Sequence, residues 1–254
     1  MKILVLGHRG MLGSDLLGRL SACYDVVGKD FGNFDITRAE SCREVVLESN
    51  PDVVINATGY TDVDACEGNM EQCFAVNASA IKNLALACEP ESIKIVHFST
   101  DYVFDGQKST PYREDDTCCP VNLYGQSKLS GEEELRRHSK HFILIRTAWL
   151  YGKNGKNFVK TILEKSKTVK RLEVVDDQKG CPTYTWDICE AVKWLINGNH
   201  TGVFHVTNAG CCSWYDFAVK ILEYEGIADV HVKPIKSDRL TRHAKRPLYS
   251  VLSN

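Results

Sequence analysis

The sequence predicts an α/β fold in which a doubly wound parallel sheet is followed by a smaller lobe. Short runs of apolar and β-branched residues alternate with longer segments in which apolar residues recur at helical spacing. This alternation is typical of parallel sheets whose strands are connected by helices. Several of the short runs are apolar on both faces, as expected for strands that helices cover on both sides.

Each predicted element follows from one of these two patterns. Apolar and β-branched runs predict strands at residues 2–6, 25–29, 52–57, 94–99, 142–146, 172–175 and 203–207. Apolar residues at helical spacing predict helices at residues 11–22, 38–49, 70–88, 124–137, 157–167, 186–196 and 213–224. Strands and helices therefore alternate along most of the chain.

The composition fits a folded protein with an apolar core. Of the 254 residues, 43% are hydrophobic and 25% are charged, the usual balance for a soluble domain. The 31 basic and 33 acidic residues give a net charge of −2, whereas a general nucleic-acid-binding protein carries a basic excess. The apolar runs are far shorter than the ~20 residues that span a bilayer, and the first is too short for a signal peptide. We therefore expect a cytoplasmic protein that binds neither nucleic acid nor membrane.

The eleven cysteines are expected to be reduced. Their number is odd, and several lie within the helical patterns, where a reduced cysteine acts as a small apolar residue. The sequence contains no C-x-x-C motif, and it therefore predicts neither a zinc site nor a redox pair.

A glycine-rich turn lies directly between the first predicted strand and the first predicted helix. Residues 7–13 read G-H-R-G-M-L-G. Glycines allow a tight turn and let backbone N–H groups approach a pyrophosphate, which then lies at the positive N-terminus of the helix. The turn therefore predicts a dinucleotide site in a Rossmann-like domain. Asp30, after the second strand, favours NAD, whereas Arg9 in the turn favours NADP, so the choice between them stays open.

The character of the sequence changes near residue 150. Before it the strand–helix pattern is regular, whereas glycine and proline interrupt the later part more often. We therefore expect a nucleotide-binding domain at residues 1–150 and a smaller substrate-binding lobe at residues 151–254, with some elements shared between the two.

Tyr124 and Lys128 form a Y-x-x-x-K motif at the start of a predicted helix. Residues four apart lie on the same face of a helix, so the phenol and the ammonium should reach the same pocket. A nearby ammonium favours the phenolate and lowers the pKa of a tyrosine, which is ordinarily ~10. Such a tyrosine can donate a proton to a carbonyl oxygen while a hydride reaches the carbon.

Polar and small residues follow two neighbouring strands. Residues 99–104 read S-T-D-Y-V-F after the fourth strand, and residues 56–61 read N-A-T-G-Y-T after the third. Ligands of open α/β sheets bind at the carboxyl ends of the strands. One hydroxyl of the first segment can therefore hydrogen-bond a substrate carbonyl, and the second segment can line the dinucleotide.

These motifs together resemble the extended short-chain dehydrogenase/reductase superfamily and, within it, the family of dTDP-4-dehydrorhamnose reductases. The resemblance runs nearly end to end. Its motifs lie at residues 7–13, 56–64, 99–106, 124–128, 131–132, 146–149, 177–183 and 246–247. The strings S-T-D-Y-V-F-D-G and D-Q-x-G-x-P-T are the more specific ones, whereas the glycine turn and Y-x-x-x-K are common to the superfamily.

The resemblance implies reduction of the C4 keto group of dTDP-4-dehydro-L-rhamnose to dTDP-L-rhamnose, with NADPH or NADH as the hydride donor. Thr100, Tyr124 and Lys128 would be catalytic: Tyr124 would protonate the C4 oxygen, Lys128 would lower its pKa and hold the nicotinamide ribose, and Thr100 would polarise the carbonyl. The cofactor would contact Gly7, Arg9, Gly10, Met11, Leu12, Gly13, Asp35, Ile36, Ala57, Thr58, Gly59, Tyr60, Thr61, Tyr124 and Lys128. The nucleotide sugar would contact Val63, Thr100, Asp101, Tyr102 and Trp149.

The resemblance also admits Mg²⁺ and a homodimer, because some family members bind the ion through glutamates at a dimer interface. No residue of this sequence is assigned to a metal. His8, Arg9 and Met11 depart from the small or polar residues and the glutamine that are commoner in the family. The family's cofactor preference is therefore not carried over to this chain.

Two other functions fit parts of the same pattern. One is a non-catalytic regulatory subunit, because the β-subunit of methionine adenosyltransferase resembles these reductases. The intact set of Thr100, Tyr124 and Lys128 argues against a loss of catalysis. The other is a reductase or epimerase of a different nucleotide sugar; an epimerase regenerates its nicotinamide in each cycle, whereas a reductase consumes it.

Overall fold

A computed structural model describes residues 1–32, 34–198 and 200–254. The strands are β1 (Lys2–Leu6), β2 (Asp25–Lys29), β3 (Val53–Asn56), β4 (Lys94–Thr100), β5 (Phe142–Thr147), β6 (Leu150–Tyr151), β7 (Arg171–Val175), β8 (Lys179–Gly180), β9 (Thr183–Tyr184), β10 (Gly202–His205), β11 (Cys212–Ser213) and β12 (His231–Ile235). The helices are α1 (Met11–Leu20), α2 (Ala39–Ser49), α3 (Val63–Gly68), α4 (Met70–Phe74), α5 (Ala80–Cys88), α6 (Leu123–His138), α7 (Phe158–Ser166), α8 (Thr185–Asn197) and α9 (Trp214–Tyr224).

A six-stranded parallel sheet forms the centre of the protein. Its strands lie in the order β10-β5-β4-β3-β1-β2, with every neighbouring pair parallel. The chain therefore starts near one end of the sheet, at β1, and moves outward in both directions, as in doubly wound folds. The predicted fold class is confirmed. The strand order reverses between β1 and β3, and because all strands are parallel, the carboxyl ends of β1, β3, β4 and β5 face the same edge.

Helices cover both faces of this sheet. Val45 of α2, Leu84 of α5 and Leu135 of α6 pack on one face, whereas Leu16 of α1 and Ile188 of α8 pack on the other. This arrangement explains why β1, β3, β4 and β5 are apolar on both sides.

The later part of the chain contributes to two layers. Strand β10 and helix α8 join the large sheet and its core. Strands β7 and β12 instead pair in parallel and pack with α7 and α9 around a separate apolar cluster that contains Ile162, Leu172, Ala218 and Val232. Elements after residue 150 thus belong to both cores, and the division at that residue stays a prediction.

The helix predicted at residues 70–88 is interrupted by a π-helical turn. This turn, Ala75–Ser79, joins α4 to α5, and π turns are frequent at functional sites. The other predicted elements are present, with small shifts of their ends. Helix α3, strand β12 and the two-residue strands β6, β8, β9 and β11 were not predicted. Among the described residues, no helix has both the length and the apolar character needed to cross a membrane.

Candidate functional site

The glycine turn between β1 and α1 has no room for a side chain at Gly7 or Gly13. Gly7 has a φ of +80°, and a β-carbon there would lie 3.0 Å from the backbone of Ala57. A β-carbon on Gly13 would lie 2.0 Å from the carbonyl oxygen of Gly7. The first turn of α1 therefore lies directly against the turn, and its N-terminus faces the edge of the sheet where ligands of such folds bind.

A cavity of about 510 Å³ opens in front of this turn. It is bounded by the turn, the end of β2, the end of β3 and the outer side of α4. Its walls are formed by Gly7, Gly10, Asp30, Phe31, Phe34, Asp35, Ile36, Thr37, Ala57, Thr58, Gly59, Gln72 and Val76. The volume and the mixture of backbone, acidic and aromatic groups fit the adenosine half of a dinucleotide.

Asp30 lies at the position where dinucleotide-binding folds read the 2′ group of the adenosine ribose. One carboxylate oxygen of Asp30 accepts a hydrogen bond from the backbone N–H of Arg9, at 2.7 Å. The side chain of Arg9 is exposed. The carboxylate therefore lies in the cavity wall, while the guanidinium extends toward solvent.

Helix α6 begins with a well-formed cap that fixes the Y-x-x-x-K motif. The side chain of Asn122 accepts a hydrogen bond from the N–H of Gly125 at 2.7 Å and donates one to the carbonyl oxygen of Lys245. A β-carbon on Gly125 would lie 2.2 Å from the carbonyl oxygen of Tyr102. Glycine within the motif thus lets the start of α6 contact the segment after β4.

Lys128 is buried beneath this contact. Its side-chain nitrogen donates a hydrogen bond to the carbonyl oxygen of Phe98 at 2.6 Å, and only 4% of the residue is exposed. Burial lowers the pKa of Lys128 to about 8, although the carboxylate of Glu132 partly opposes this shift. The amine therefore changes charge near neutral pH.

Tyr124 lies between Thr100 and Tyr102. Its ring packs edge-on against that of Tyr102, with centroids 5.9 Å apart. Burial raises the pKa of Tyr124, and a hydrogen bond with the Thr100 hydroxyl partly offsets this effect. The lowering of the Tyr124 pKa expected from Lys128 is thus not found in this structure, because burial dominates. A phenol with a raised pKa stays protonated at neutral pH, the form that a proton donor needs.

Asp101 adds a buried carboxyl group beside Thr100. The Thr100 hydroxyl donates a hydrogen bond to it at 3.0 Å, and 2% of Asp101 is exposed. Burial raises the pKa of Asp101 to about 6, although hydrogen bonds with Ser250 and Thr100 partly oppose this shift. The same Thr100 oxygen accepts a hydrogen bond from the N–H of Tyr102, so the end of β4 is held in one arrangement.

Trp149 is held in an unusual conformation after β5. Its φ is +47°, and its ring stacks on that of Trp214 with centroids 3.5 Å apart. A β-carbon on Gly180 would lie 2.4 Å from the Trp149 ring. The glycine of the D-Q-x-G-x-P-T string is therefore needed to accommodate the tryptophan.

A second cavity, of about 440 Å³, lies between the end of β4 and the later lobe. One part is apolar and aromatic, and another is charged. Its walls are formed by Val63, Asp64, Tyr102, Phe158, Thr161, Ile162, Lys165, Leu172, Glu173, Val174, Val175, Trp214, Leu240, Arg242 and Arg246. Trp214 lines this cavity, whereas Trp149 lies behind it.

Two arginines dominate the charged part. Both nitrogens of the Arg246 fork donate to the carboxylate of Asp64, at 2.6 Å each, and this pair lowers the pKa of Asp64 to about 2. Arg242 lies nearby with an exposed side chain, and its pKa is lowered by desolvation and by the charge of Arg246. Among the ion pairs of the described residues, Asp64 is the one carboxylate that pairs directly with either guanidinium group, which leaves positive charge for an anionic ligand.

A buried ion pair supports α6 from behind. Arg146 donates two hydrogen bonds to Glu132, at 2.9 and 2.7 Å, and its guanidinium lies over the ring of Phe104. A β-carbon on Gly131 would lie 2.1 Å from the carbonyl oxygen of Asn77. The G-E and R-T-A-W strings of the sequence therefore fix the distance of α6 from β5 and from the π turn.

The predicted residues divide between the two cavities. Of the predicted cofactor residues, Gly7, Gly10, Asp35, Ile36, Ala57, Thr58 and Gly59 line the first cavity. Arg9, Met11, Leu12 and Gly13 belong to the adjoining turn and the start of α1, where Leu12 is buried in the core. Tyr60 and Thr61 continue the wall beyond Gly59. Val63 and Tyr102 line the second cavity, and Thr100, Asp101, Tyr124 and Lys128 lie beside it or beneath it.

Sequence reasoning missed parts of both cavities. Phe31, Phe34, Gln72 and Val76 of the first, and Phe158, Trp214 and Arg242 of the second, belong to no motif. The glycine and hydroxyl signals mark strand ends, whereas these side chains reach the site from helices and loops that only tertiary packing brings there. Within the described part of the chain, no group of three or more His, Cys, Asp or Glu side chains is arranged to hold a metal ion.

Comparison with known proteins identifies relatives along the whole chain. A family model described as "RmlD substrate binding domain" matches residues 1–254. The spore coat polysaccharide biosynthesis protein SpsK of Bacillus subtilis is 40% identical over 254 residues, covering 100% of this chain and 89% of the relative. The dTDP-4-keto-6-deoxy-D-glucose reductase of Streptomyces niveus is 37% identical over 253 residues, which cover 99% of this chain and 88% of the relative. The crystal structure of a Bacillus anthracis dTDP-4-dehydrorhamnose reductase in complex with NADP superposes on this chain with a TM-score of 0.97 at 36% identity. The match covers 99% of this chain and 90% of the crystallised one.

Proposed function

Because the chain belongs to the RmlD substrate binding domain family, we propose that it is a nicotinamide-dependent reductase of a dTDP-4-keto-6-deoxy sugar, with dTDP-4-dehydro-L-rhamnose as its substrate. The observation that carries this proposal is that Thr100 of β4 contacts Tyr124 of α6 next to Tyr102, which lines the cavity that contains two arginines. Lys128 of the same helix is held against the end of β4. Relatives named as reductases of dTDP sugars support the choice of substrate.

The first cavity and the glycine turn fit the adenosine and pyrophosphate parts of a nicotinamide dinucleotide. Gly7 and Gly13 let the turn pack against the end of β3 and the start of α1, where β-carbons would collide with backbone. The N-terminus of α1 provides N–H donors for the pyrophosphate. The adenosine would lie against Asp35 and Ile36, as predicted. When bound, the reduced nicotinamide supplies the hydride.

Side chains of the protein hold the proton and transfer it to the substrate. Tyr124 holds it on its phenol oxygen and donates it to the C4 oxygen of the sugar as the carbonyl is reduced. The Thr100 hydroxyl, hydrogen-bonded to Tyr124 and Asp101, orients that phenol and polarises the same carbonyl. Lys128 holds the nicotinamide ribose and, while charged, stabilises the phenolate that remains after proton transfer.

The second cavity fits the nucleotide part of the substrate. Phe158 and Trp214 offer aromatic surface to a pyrimidine base, and Arg242 offers an unshared guanidinium to the diphosphate. Arg246 is oriented by Asp64 toward the same region. Tyr102 connects this cavity to Tyr124, so a bound diphosphate would direct the sugar toward the catalytic groups. Trp149 contributes by holding Trp214.

Asp30 determines the choice between NADH and NADPH in this proposal. A carboxylate in the cavity wall accepts a hydrogen bond from a ribose 2′-hydroxyl and repels a 2′-phosphate. Arg9, exposed at the rim, offsets part of that repulsion. We therefore expect both cofactors to be accepted, with Asp30 disfavouring NADPH.

The proposal is tested by following the absorbance of NADH and NADPH with the purified protein. Oxidation of one cofactor molecule per dTDP-4-dehydro-L-rhamnose, and none with a UDP-4-keto sugar, is the expected result. Cofactor consumption with only the UDP sugar would contradict the substrate. Cofactor binding without turnover of any nucleotide sugar would contradict the reductase and favour a regulatory subunit.

A further inference from the structure

Two buried cysteines face each other beneath the cofactor cavity. Cys66 of α3 and Cys73 of α4 are both fully buried, and their sulfur atoms lie 2.8 Å apart. The sulfurs of a disulfide are ~2.05 Å apart, so a movement of less than ~1 Å would bring this pair to bonding distance. Among the described residues, no other two sulfur atoms are in hydrogen-bonding contact.

We propose that Cys66 and Cys73 are a redox-active dithiol that hydrogen peroxide converts to a disulfide, and that this disulfide weakens binding of the nicotinamide cofactor. The effect on cofactor binding rests on the proposed function, whereas the formation of the disulfide does not. Because six residues separate the two cysteines, the pair does not match a C-x-x-C motif.

The chemistry balances with peroxide as the oxidant. The sulfur of one cysteine attacks a peroxide oxygen, the O–O bond breaks, and a sulfenic acid and one water are formed. The second thiol attacks the sulfenic sulfur, its proton leaves with the departing hydroxyl as a second water, and the S–S bond forms. Two thiols thus give up two electrons, and one hydrogen peroxide becomes two waters.

The position of the pair favours a small oxidant. The turn between the sulfurs is exposed at Gly68, Asn69 and Met70, and α3 and α4 contain only six and five residues. Short helices with an exposed connection open locally at low cost. Because burial raises the pKa of the Cys66 thiol, little of the nucleophilic thiolate is present, and we expect oxidation to be slow.

Hydrogen bonds connect the pair to the catalytic helix. The Cys73 thiol lies 3.1 Å from the hydroxyl of Ser127, and that hydroxyl donates to the carbonyl oxygen of Tyr124. A disulfide sulfur carries no proton, so oxidation removes the hydrogen bond that Cys73 can donate to Ser127.

Helix α4, which carries Cys73, and the π turn after it also form part of the wall of the cofactor cavity. Gln72 and Val76 line the cavity on either side of Cys73. One turn further, the Asn77 amide holds the backbone of Tyr60 through two hydrogen bonds, at 2.8 and 2.9 Å. Drawing Cys73 toward Cys66 would displace this wall, and a bound cofactor should in turn slow the oxidation.

The test uses the whole protein and one peptide. Trypsin releases residues 44–82, which contain Cys66 and Cys73 and no other cysteine. After peroxide treatment and alkylation, we expect this peptide without alkyl groups and two hydrogen atoms lighter, and dithiothreitol should reverse the change. The dissociation constant of NADPH, measured by fluorescence, should rise at least threefold in the oxidised protein.

Variants separate the pair from general oxidation. Cys66→Ala removes the contact between the two sulfurs but keeps the hydrogen bond between Cys73 and Ser127, and it should abolish both the disulfide and the change in affinity. Cys189→Ala, in the core on the other face of the sheet, should abolish neither. If Cys66 and Cys73 are fully alkylated in a sample in which the exposed Cys23 is oxidised, the proposal that the two form a disulfide is wrong. A disulfide with unchanged NADPH affinity would overturn the coupling, and failure of the reduced protein to bind NADPH would contradict the proposed function alone.

Discussion

The side-chain nitrogen of Lys128 lies 2.6 Å from the carbonyl oxygen of Phe98, which joins helix α6 to the end of strand β4. Both partners are buried, and the lysine therefore loses most of its hydration. The cost of burying its charge brings the pKa down to about 8. This residue therefore changes between its charged and neutral states near pH 8.

Binding of NADH should weaken as the pH rises through about 8. Below that pH Lys128 carries the proton and attracts the anionic dinucleotide; above it the residue is neutral in the free protein. NADH is the suitable ligand because it has no 2′-phosphate to titrate. Fluorescence titrations from pH 6.5 to 9.5 should show this decline in the wild type and a flat profile in Lys128→Met. A decline of equal size in the variant would assign the effect to another group.

Tyr124→Phe should abolish turnover and leave cofactor binding intact. The variant keeps the ring that packs on Tyr102 but lacks the proton, and loss of a positioned proton donor costs roughly 10²- to 10⁴-fold in rate. Steady-state kinetics and NADH titration on the same sample separate the two effects. Turnover within tenfold of the wild type would exclude Tyr124 as the donor.

Asp101→Asn should stabilise the protein at neutral pH and not in acid. The pKa of Asp101 is about 6 in the folded state and ~3.9 in an unfolded chain, so the folded state binds more protons between these values. The stability that comes from this raised pKa is complete near pH 4 and is lost as the pH rises through 6. Urea denaturation should show the variant more stable than the wild type by up to ~3 kcal/mol at pH 7.5, with the difference shrinking toward pH 4. A difference independent of pH would contradict this prediction.

Glu132→Gln should destabilise the protein strongly, because Arg146 would keep its charge in a buried position without a carboxylate. Breaking one side of a buried pair costs about 3–5 kcal/mol. Glu134→Gln is the control on the same helix: its partners are Arg137, which is largely exposed, and His138, and exposed pairs contribute at most ~1 kcal/mol. Equal losses in the two variants, measured by urea denaturation, would show that the buried pair has no special role.

Asp30→Ser should shift the cofactor preference toward NADPH. The substitution removes the negative charge in the cavity wall and keeps an oxygen that can accept the N–H of Arg9. We expect the ratio of the NADPH and NADH dissociation constants to fall at least tenfold. Asp35→Ser removes the same charge elsewhere in the wall, where Thr37 holds the carboxylate, and should change the ratio less than threefold. Similar shifts in both variants would indicate a general effect of charge.

The sequence predicts most of the large sheet because its strands are apolar on both faces and each is followed by a helix. It brings Thr100 and Tyr124, the proposed catalytic groups, to a strand end and a helix start, where local patterns are informative. The two-residue strands and the π turn are different, since only tertiary contacts define them. The approach of Cys73 to Cys66, and of Arg242 to the second cavity, likewise depends on packing that no local pattern records.

The central claim is that hydride passes to C4 of a dTDP-4-keto sugar while Tyr124 supplies the proton. The most direct measurement uses NADPH deuterated on the transferred position of the nicotinamide, with dTDP-4-dehydro-L-rhamnose as the acceptor. We predict dTDP-L-rhamnose with one deuterium at C4, detected by nuclear magnetic resonance, for each NADPH consumed, and no product with Tyr124→Phe. A product without deuterium, or a converted sugar without consumption of NADPH, would contradict the account.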